Sequence, residues 1–207
     1  TPAKLTCSSQ FFRKRWKKKT YKLGIELYFL GQLVDLNTSL YSIAKPYMEK
    51  LRDQFAESVS LNVSRNNQRI CIGYVKGNHE LTMLSYVGQT SPLYAGASAK
   101  LLLAFLPESE QKAILEKLSF DKISKNTILS KEQLMKELKR IKEDCVSISF
   151  EERIPGAFSI SAPIKNRNDE VIAAISISAP LLRVDEEKLN LYRKELIRVG
   201  KEISKNL

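Results

Sequence analysis

Three observations predict an α+β domain built on a mostly antiparallel sheet. Apolar residues recur at helical spacing near both ends and in the middle of the chain. Between those segments lie stretches in which apolar and polar residues alternate, bounded by Asn- and Gly-containing turns. The segments are also grouped, as helices, strands, helices, strands and a last helix. That order suits helices laid against an antiparallel sheet better than a regular alternation of strand and helix.

Taken in order, Leu23, Leu27, Leu30 and Val34 mark a first helix, and Leu40, Ile43, Tyr47, Met48, Leu51 and Phe55 a second. Asn37-Thr38-Ser39 is the expected cap between them, and Pro46 is expected to bend or restart the second. Residues 58–63 and 69–75 read as strands joined by Asn66-Asn67-Gln68, and after the Gly77-Asn78 turn residues 81–87 read as a third strand. Residues 97–105 form a strongly apolar helix. Pro107 opens another with acids in its first turn, where the helix dipole favours them, and Ser130 begins a capping box for a third. Two last strands, 157–164 and 171–179, precede an amphipathic helix that starts at Asp185.

Composition narrows the function classes. A hydrophobic share of 43% and a charged share of 28% are those of a globular protein. No apolar run is long enough to span a bilayer, and the opening TPAKLTCSSQ lacks the apolar centre of a signal peptide. The three cysteines, Cys7, Cys71 and Cys145, are odd in number and show no CxxC pairing. This argues against a disulfide framework and a closed zinc site, and fits a reducing cytoplasm. The single histidine, His79, lies in a turn-like KGNHE, so no metal site or Ser-His-Asp arrangement is expected, nor any cofactor.

Charge is concentrated at one end. Residues 1–22 hold eight Lys and Arg and no acid, so only +3 of the net +11 falls on the remaining 185 residues. Arg13, Lys14, Arg15, Lys17, Lys18 and Lys19 could neutralise nucleic-acid phosphates, with Trp16 and Tyr21 adding contact area. A solvated basic tail fits the same residues equally well.

The chain carries one short repeat, SISAPI at 159–164 and SISAPL at 176–181, on either side of Asn166-Arg167-Asn168-Asp169. A turn centred on Arg167-Asn168 makes this a hairpin in which Ser159 faces Ser176, Ser161 faces Ala174 and Ala157 faces Ser178. One face then presents Ala157, Ser159, Ser161, Ala174, Ser176 and Ser178, while Phe158, Ile160, Ala162, Ala173, Ile175 and Ile177 form the core face. Small hydroxylated residues without any charge are an unusual solvent surface. They either line a pocket for a small polar ligand or lie under a closely packed helix. Gly96, Ala97 and Ser98 open the apolar helix, whose first-turn N–H groups suit a carboxylate, although an ordinary cap of small residues reads the same way.

Four stretches together resemble the IclR family of bacterial transcription regulators. These are YKLGIELYFLG at 21–31, AKPYMEKLRDQFAESVSLNV at 44–63, VGQTSPLYAGASAKLLLAFLP at 87–107 and EERIPGAFSISAPIKNRNDEVIAAISISAP at 151–180. The resemblance covers residues 20–207 in order. It implies a GAF-like or profilin-like antiparallel sheet flanked by helices, preceded by a linker helix over 23–39, with the effector-binding domain at 40–207. It also implies a winged helix-turn-helix of which residues 1–22 are the basic remnant, and a homodimer or tetramer in which effector binding changes operator affinity. Carried over position by position, the family's effector contacts fall on Met83, expected on the third strand, and on Ala97, Ser98, Ser149, Ala157, Ser159, Ser176 and Ser178. Relative to members that bind small oxoacids, an acid is replaced by Ser149 and a cysteine by Ser159. The added hydroxyls favour a sugar acid or another hydroxylated carboxylate. Two other functions remain open from sequence: a stand-alone sensor acting through protein partners, and a serine hydrolase, which lacks a GxSxG elbow and an evident base; Glu151 and Glu152 are expected to be solvated.

Overall fold

A computed structural model of the chain describes residues 12–15, 20–27, 29 and 39–207. The chain divides into two compact units, Thr1–Ser42 and Ile43–Leu207. In the first, β1 (Phe12–Arg15) pairs antiparallel with β2 (Thr20–Leu23), Phe12 opposite Leu23 and Arg15 opposite Thr20. Arg13, Lys14 and Arg15 lie on β1, whereas Lys17, Lys18 and Lys19 lie outside the described residues. Residues 25–27 and 29 are helical, and Asn37 and Thr38 of the expected cap are again outside the described residues.

Helix α1 (Ser39–Phe55) runs without interruption through Pro46. It leads into the sheet of the second unit, formed by β3 (Ser58–Arg65), β4 (Gln68–Val75), β5 (Thr90–Pro92), β6 (Ser147–Phe150), β7 (Ala157–Lys165) and β8 (Val171–Pro180). The strand order is β5-β4-β3-β8-β7-β6, and every neighbouring pair is antiparallel. Between β5 and β6 come α2 (Ala97–Ala104), α3 (Glu108–Lys117) and α4 (Lys131–Asp144), and α5 (Glu186–Lys205) closes the chain. The fold is thus α+β, with a curled antiparallel sheet flanked by helices.

Local chemistry explains several boundaries. Asn66 and Asn67 both adopt positive φ, 52° and 58°, as a two-residue turn matched to the strand twist requires. Ser130 accepts a hydrogen bond from the Gln133 amide at 3.2 Å and Asp185 one from Lys188 at 2.7 Å, so each caps its helix.

Beyond the unbroken helix at Pro46, two sequence expectations are corrected and one strand was missed. Residues 81–87 form no strand. The outer edge of β4 is already occupied by β5 and by Gly88 and Gln89, which exchange backbone hydrogen bonds with Cys71, and Leu81, Leu84, Tyr86 and Val87 are left exposed. The four residues of β6 were not foreseen as a strand, because the segment is too short to show its period. In the β7–β8 hairpin, Ser159 faces Ser178 and Ser161 faces Ser176, two residues away from the expected register. The longer loop causes the shift. The Asn166 side chain accepts from the amides of Asn168 and Glu170, Asp169 takes a φ of 63°, and the ladder is irregular between Ile164 and Lys165. An even shift leaves each side chain on its expected face.

The core face of the hairpin packs against α5. Tyr192 of α5 lies between Phe55 (ring centroids 4.8 Å apart) and Phe158 (6.3 Å). On the opposite face, α2, α3 and α4 enclose a second apolar cluster of Leu101, Leu103, Leu115, Leu134, Leu138 and Ile141, which Ala174 of β8 joins. Helix α5 sits so close to β7 that a Cβ on Gly200 would lie 2.5 Å from the Pro163 carbonyl oxygen. Gly200→Ala must therefore lift the helix, and is expected to cost about 1–3 kcal/mol, as overpacking does. Urea denaturation with an unchanged slope and a lower midpoint is the expected result.

Candidate functional site

Antiparallel register turns the short serine repeats into two rows that cross four strands. One row is Ser147 on β6, Ser161 on β7, Ser176 on β8 and Ser60 on β3. The next is Ser149, Ser159, Ser178 and Ser58 on the same four strands. Strands lie about 4.8 Å apart and alternate residues about 7 Å apart, so eight hydroxyls tile one face of the sheet.

The two rows have different surroundings. In the first, Ser147 and Ser161 are fully buried and Ser176 nearly so. The Ser161 and Ser176 hydroxyls bond each other at 2.7 Å, and Asn62 donates to Ser176 (3.3 Å) and Ser60 (3.1 Å). In the second row only Ser58 is engaged, with Tyr74 and the Gly77 amide. Among the described residues, the hydroxyls of Ser149, Ser159 and Ser178 have no partner. The sequence offered a pocket or a covering helix for this surface. The structure divides it: Ser60, Ser161 and Ser176 of the first row are bonded to one another or to Asn62, and Ser147 is buried without a partner, whereas three hydroxyls of the second row stand free beside a cavity that Ser60 and Ser176 also reach.

That cavity holds about 90 Å³. A single water needs roughly 10–15 Å³ by the same measure, so there is room for a small molecule. Met83, Gly96, Ala97, Ser98, Ser149, Ala157, Ser159, Ser176 and Ser178 all line it. The structure therefore brings together every position expected to contact the effector, although Met83 reaches it from a loop and not from a strand. Gly96 adopts a φ of +94°, which favours glycine, and a Cβ there would lie 3.0 Å from Cδ of Arg153, so that side chain would have to shift.

Four charged residues at or beside the cavity escaped the sequence reading. Glu152 is buried, not solvated. Its carboxylate accepts from the Gly96 amide at 2.8 Å and from Lys100 Nζ at 2.6 Å. Lys100, only 1% exposed, also donates to Glu137 Oε1 (2.9 Å) and to the Ile148 carbonyl (3.0 Å). The start of α2 is therefore already occupied at Gly96 by a carboxylate of the chain itself. The amides of Ala97 and Ser98 have no intrahelical acceptor.

The other two residues are arginines. Arg69 is 4% exposed and donates only to neutral groups, to Asn62 Oδ1 at 3.0 Å and Ser91 Oγ at 2.9 Å. Burial, and then the charge of Arg153, lower its pKa to about 10, so it stays charged at neutral pH. Arg153 is half-buried and has no acceptor among the described residues, and burial lowers its pKa as well. Both signals were present in the sequence. Arg69 is in phase with Cys71, Gly73 and Val75 on β4, and Lys100 is the single charge in a helix that is apolar all round.

Elsewhere, Cys71 and Cys145 are free thiols and Cys7 lies outside the described residues. His79 is exposed beside Glu57. No helix among the described residues is long and apolar enough to cross a membrane.

The architecture defines an α+β domain in which helices on one face of an antiparallel sheet leave a polar, cation-lined cavity. A family model described as the bacterial transcriptional regulator IclR C-terminal domain matches residues 34–205, and the chain belongs to that family. The HTH-type transcriptional regulator KipR of Bacillus subtilis (strain 168) is 31% identical over 196 residues, which are 95% of this chain and 78% of KipR. The crystal structure of Thermotoga maritima IclR superposes with a TM-score of 0.84 at 29% identity, covering 96% of this chain and 80% of that one. An IclR homolog from Microbacterium hydrocarbonoxydans, solved in complex with 4-hydroxybenzoate, shares the fold with a TM-score of 0.80 at 21% identity, over 94% and 80% of the two chains.

Removing Lys100 would leave buried Glu152 without its counter-charge. Lys100→Met is expected to destabilise the domain by about 3–5 kcal/mol, and Glu152→Gln in the same chain to restore part of that loss. Urea denaturation of both variants checks this. The pH dependence has a definite sign. Burial works against the charge of Glu137, but hydrogen bonds from Arg140 and the proximity of Lys100 outweigh it and hold the carboxyl below its ordinary pKa. Its contribution is full above the unfolded carboxyl's pKa of about 4.3 and is lost as the pH falls through the folded value.

Proposed function

We propose that the domain is the sensor of a DNA-binding transcription regulator, and that its cavity binds a small organic acid. The observation that carries this reading is a convergence of unused groups. Three serine hydroxyls without partners and two arginines without an acid face one small cavity. Buried polar and charged groups are normally paired, and a hydroxylated carboxylate supplies the missing acceptors and charge. The 4-hydroxybenzoate complex of the Microbacterium hydrocarbonoxydans homolog is a small carboxylate in a protein of the same fold, and lends support.

In this reading the effector acts by preferring one quaternary arrangement of a homodimer or tetramer in the cytoplasm. The spacing of two helix-turn-helix heads on operator DNA changes with it. Such a head would precede the domain, with Arg13, Lys14, Arg15, Lys17, Lys18 and Lys19 near the phosphates. The hydroxyls of Ser161 and Ser176 bond each other and Asn62 donates to Ser176, which fits a binding role better than a hydrolytic one.

Thermal denaturation with glycerate, gluconate and 4-hydroxybenzoate tests the reading. A ligand at 100 times its Kd stabilises the native state by about 2.7 kcal/mol. The midpoint should rise with ligand concentration, and Ser178→Ala should weaken binding about five- to tenfold through a lost hydrogen bond. Absence of any shift with all three acids would rule the small-acid reading out.

A further inference from the structure

The charges around the cavity say more about the ligand than that it is an acid. Two cations line the cavity, and neither has an acid partner: Arg69 rests on Asn62 and Ser91, and Arg153 has no acceptor among the described residues. The one carboxylate in the lining is already committed, because Glu152 uses one oxygen on Lys100 and the other on the Gly96 amide. The two guanidiniums also repel each other, since the charge of Arg153 lowers the pKa of Arg69 while no carboxylate raises that of either. A single carboxylate brings one negative charge against their two and leaves a net positive charge in a partly desolvated site, which is costly.

The two sites are distinct in the fold. Arg153 lies over Gly96, where the first-turn amides of α2 add to its attraction for an anion. Arg69 sits on β4, held by Asn62 on β3 and Ser91 on β5. The unpartnered hydroxyls of Ser149, Ser159 and Ser178 line the same cavity. We infer that the cavity takes a hydroxylated dicarboxylate, one carboxylate at Arg153 and the start of α2, the other at Arg69. The inference rests on the reading of the cavity as a small-acid site and commits it to a charge of two. The guanidinium fork suits a carboxylate in two-point contact at either end.

Calorimetric titration at about pH 7.5, where both carboxylates of each diacid are ionised, tests this on matched pairs. Succinate is compared with butyrate, and tartrate with dihydroxybutyrate. Each diacid is expected to bind at least about tenfold more tightly than its partner, and tartrate more tightly than succinate. Arg69→Gln and Arg153→Gln should each remove most of the preference for two charges, and Arg153→Lys should keep part of it. The wild-type comparison stands even if the Arg69 variant fails to fold. Equal binding of diacids and monoacids overturns the dicarboxylate inference and leaves the small-acid reading intact, as does a preference that survives in a folded Arg153→Gln variant. Failure of all four acids to bind overturns both.

Discussion

The ammonium group of Lys100 joins the parts of the molecule on which the cavity depends. From the second turn of α2 it reaches the carbonyl of Ile148 on β6, Glu152 in the loop that follows, and Glu137 on α4. Three elements far along the chain from α2 are fixed by one charge that is itself almost wholly buried. Glu152 extends the link to the Gly96 amide, so the start of α2 is held against the sheet edge from both directions. The cavity is the space that this arrangement leaves in front of the helix. Desolvating such an ion pair offers little net stabilisation, and its value lies in specifying one geometry for the groups around it.

The same face of the sheet serves two purposes in adjacent rows. Where α2 covers the sheet, serine is small enough to allow close packing; the hydroxyls of Ser161, Ser176 and Ser60 bond one another or Asn62, and that of Ser147 is buried without a partner. One step along the strands the same residue type is left unsatisfied and faces the cavity. Three unused hydroxyls lining the cavity are the clearest sign that the second row awaits something other than the protein.

Much of the fold was legible in the sequence because it follows from periodicity. The hairpin faces were assigned correctly despite the wrong register, since the shift was even. Helices capped by Ser130 and Asp185 begin where their side chains predict. Residues 81–87 misled because alternation shows that a segment can form a strand, not that a free edge exists to receive it; β5 had taken that edge. The charged part of the site was the least legible. A lysine, a glutamate and two arginines read singly as solvent-exposed, and only the phase of Arg69 along β4 and the apolar neighbours of Lys100 mark them as buried. The pairing of Lys100 with Glu152 spans fifty-two residues and no local pattern announces it.

The near-identical sequences of β7 and β8 have a consequence for how the chain finds its register. Sliding one strand past the other by two residues keeps every apolar side chain in the core and every serine on its own face. Hydrophobic burial therefore distinguishes the two alignments only weakly. The choice falls to the Asn166 loop, with its internal hydrogen bonds and the left-handed Asp169, and to the flanking strands β3 and β6, which accept one alignment of serine rows. A five-residue loop at the surface thus sets which hydroxyls stand opposite one another at the cavity, some distance from any group that touches what the cavity holds.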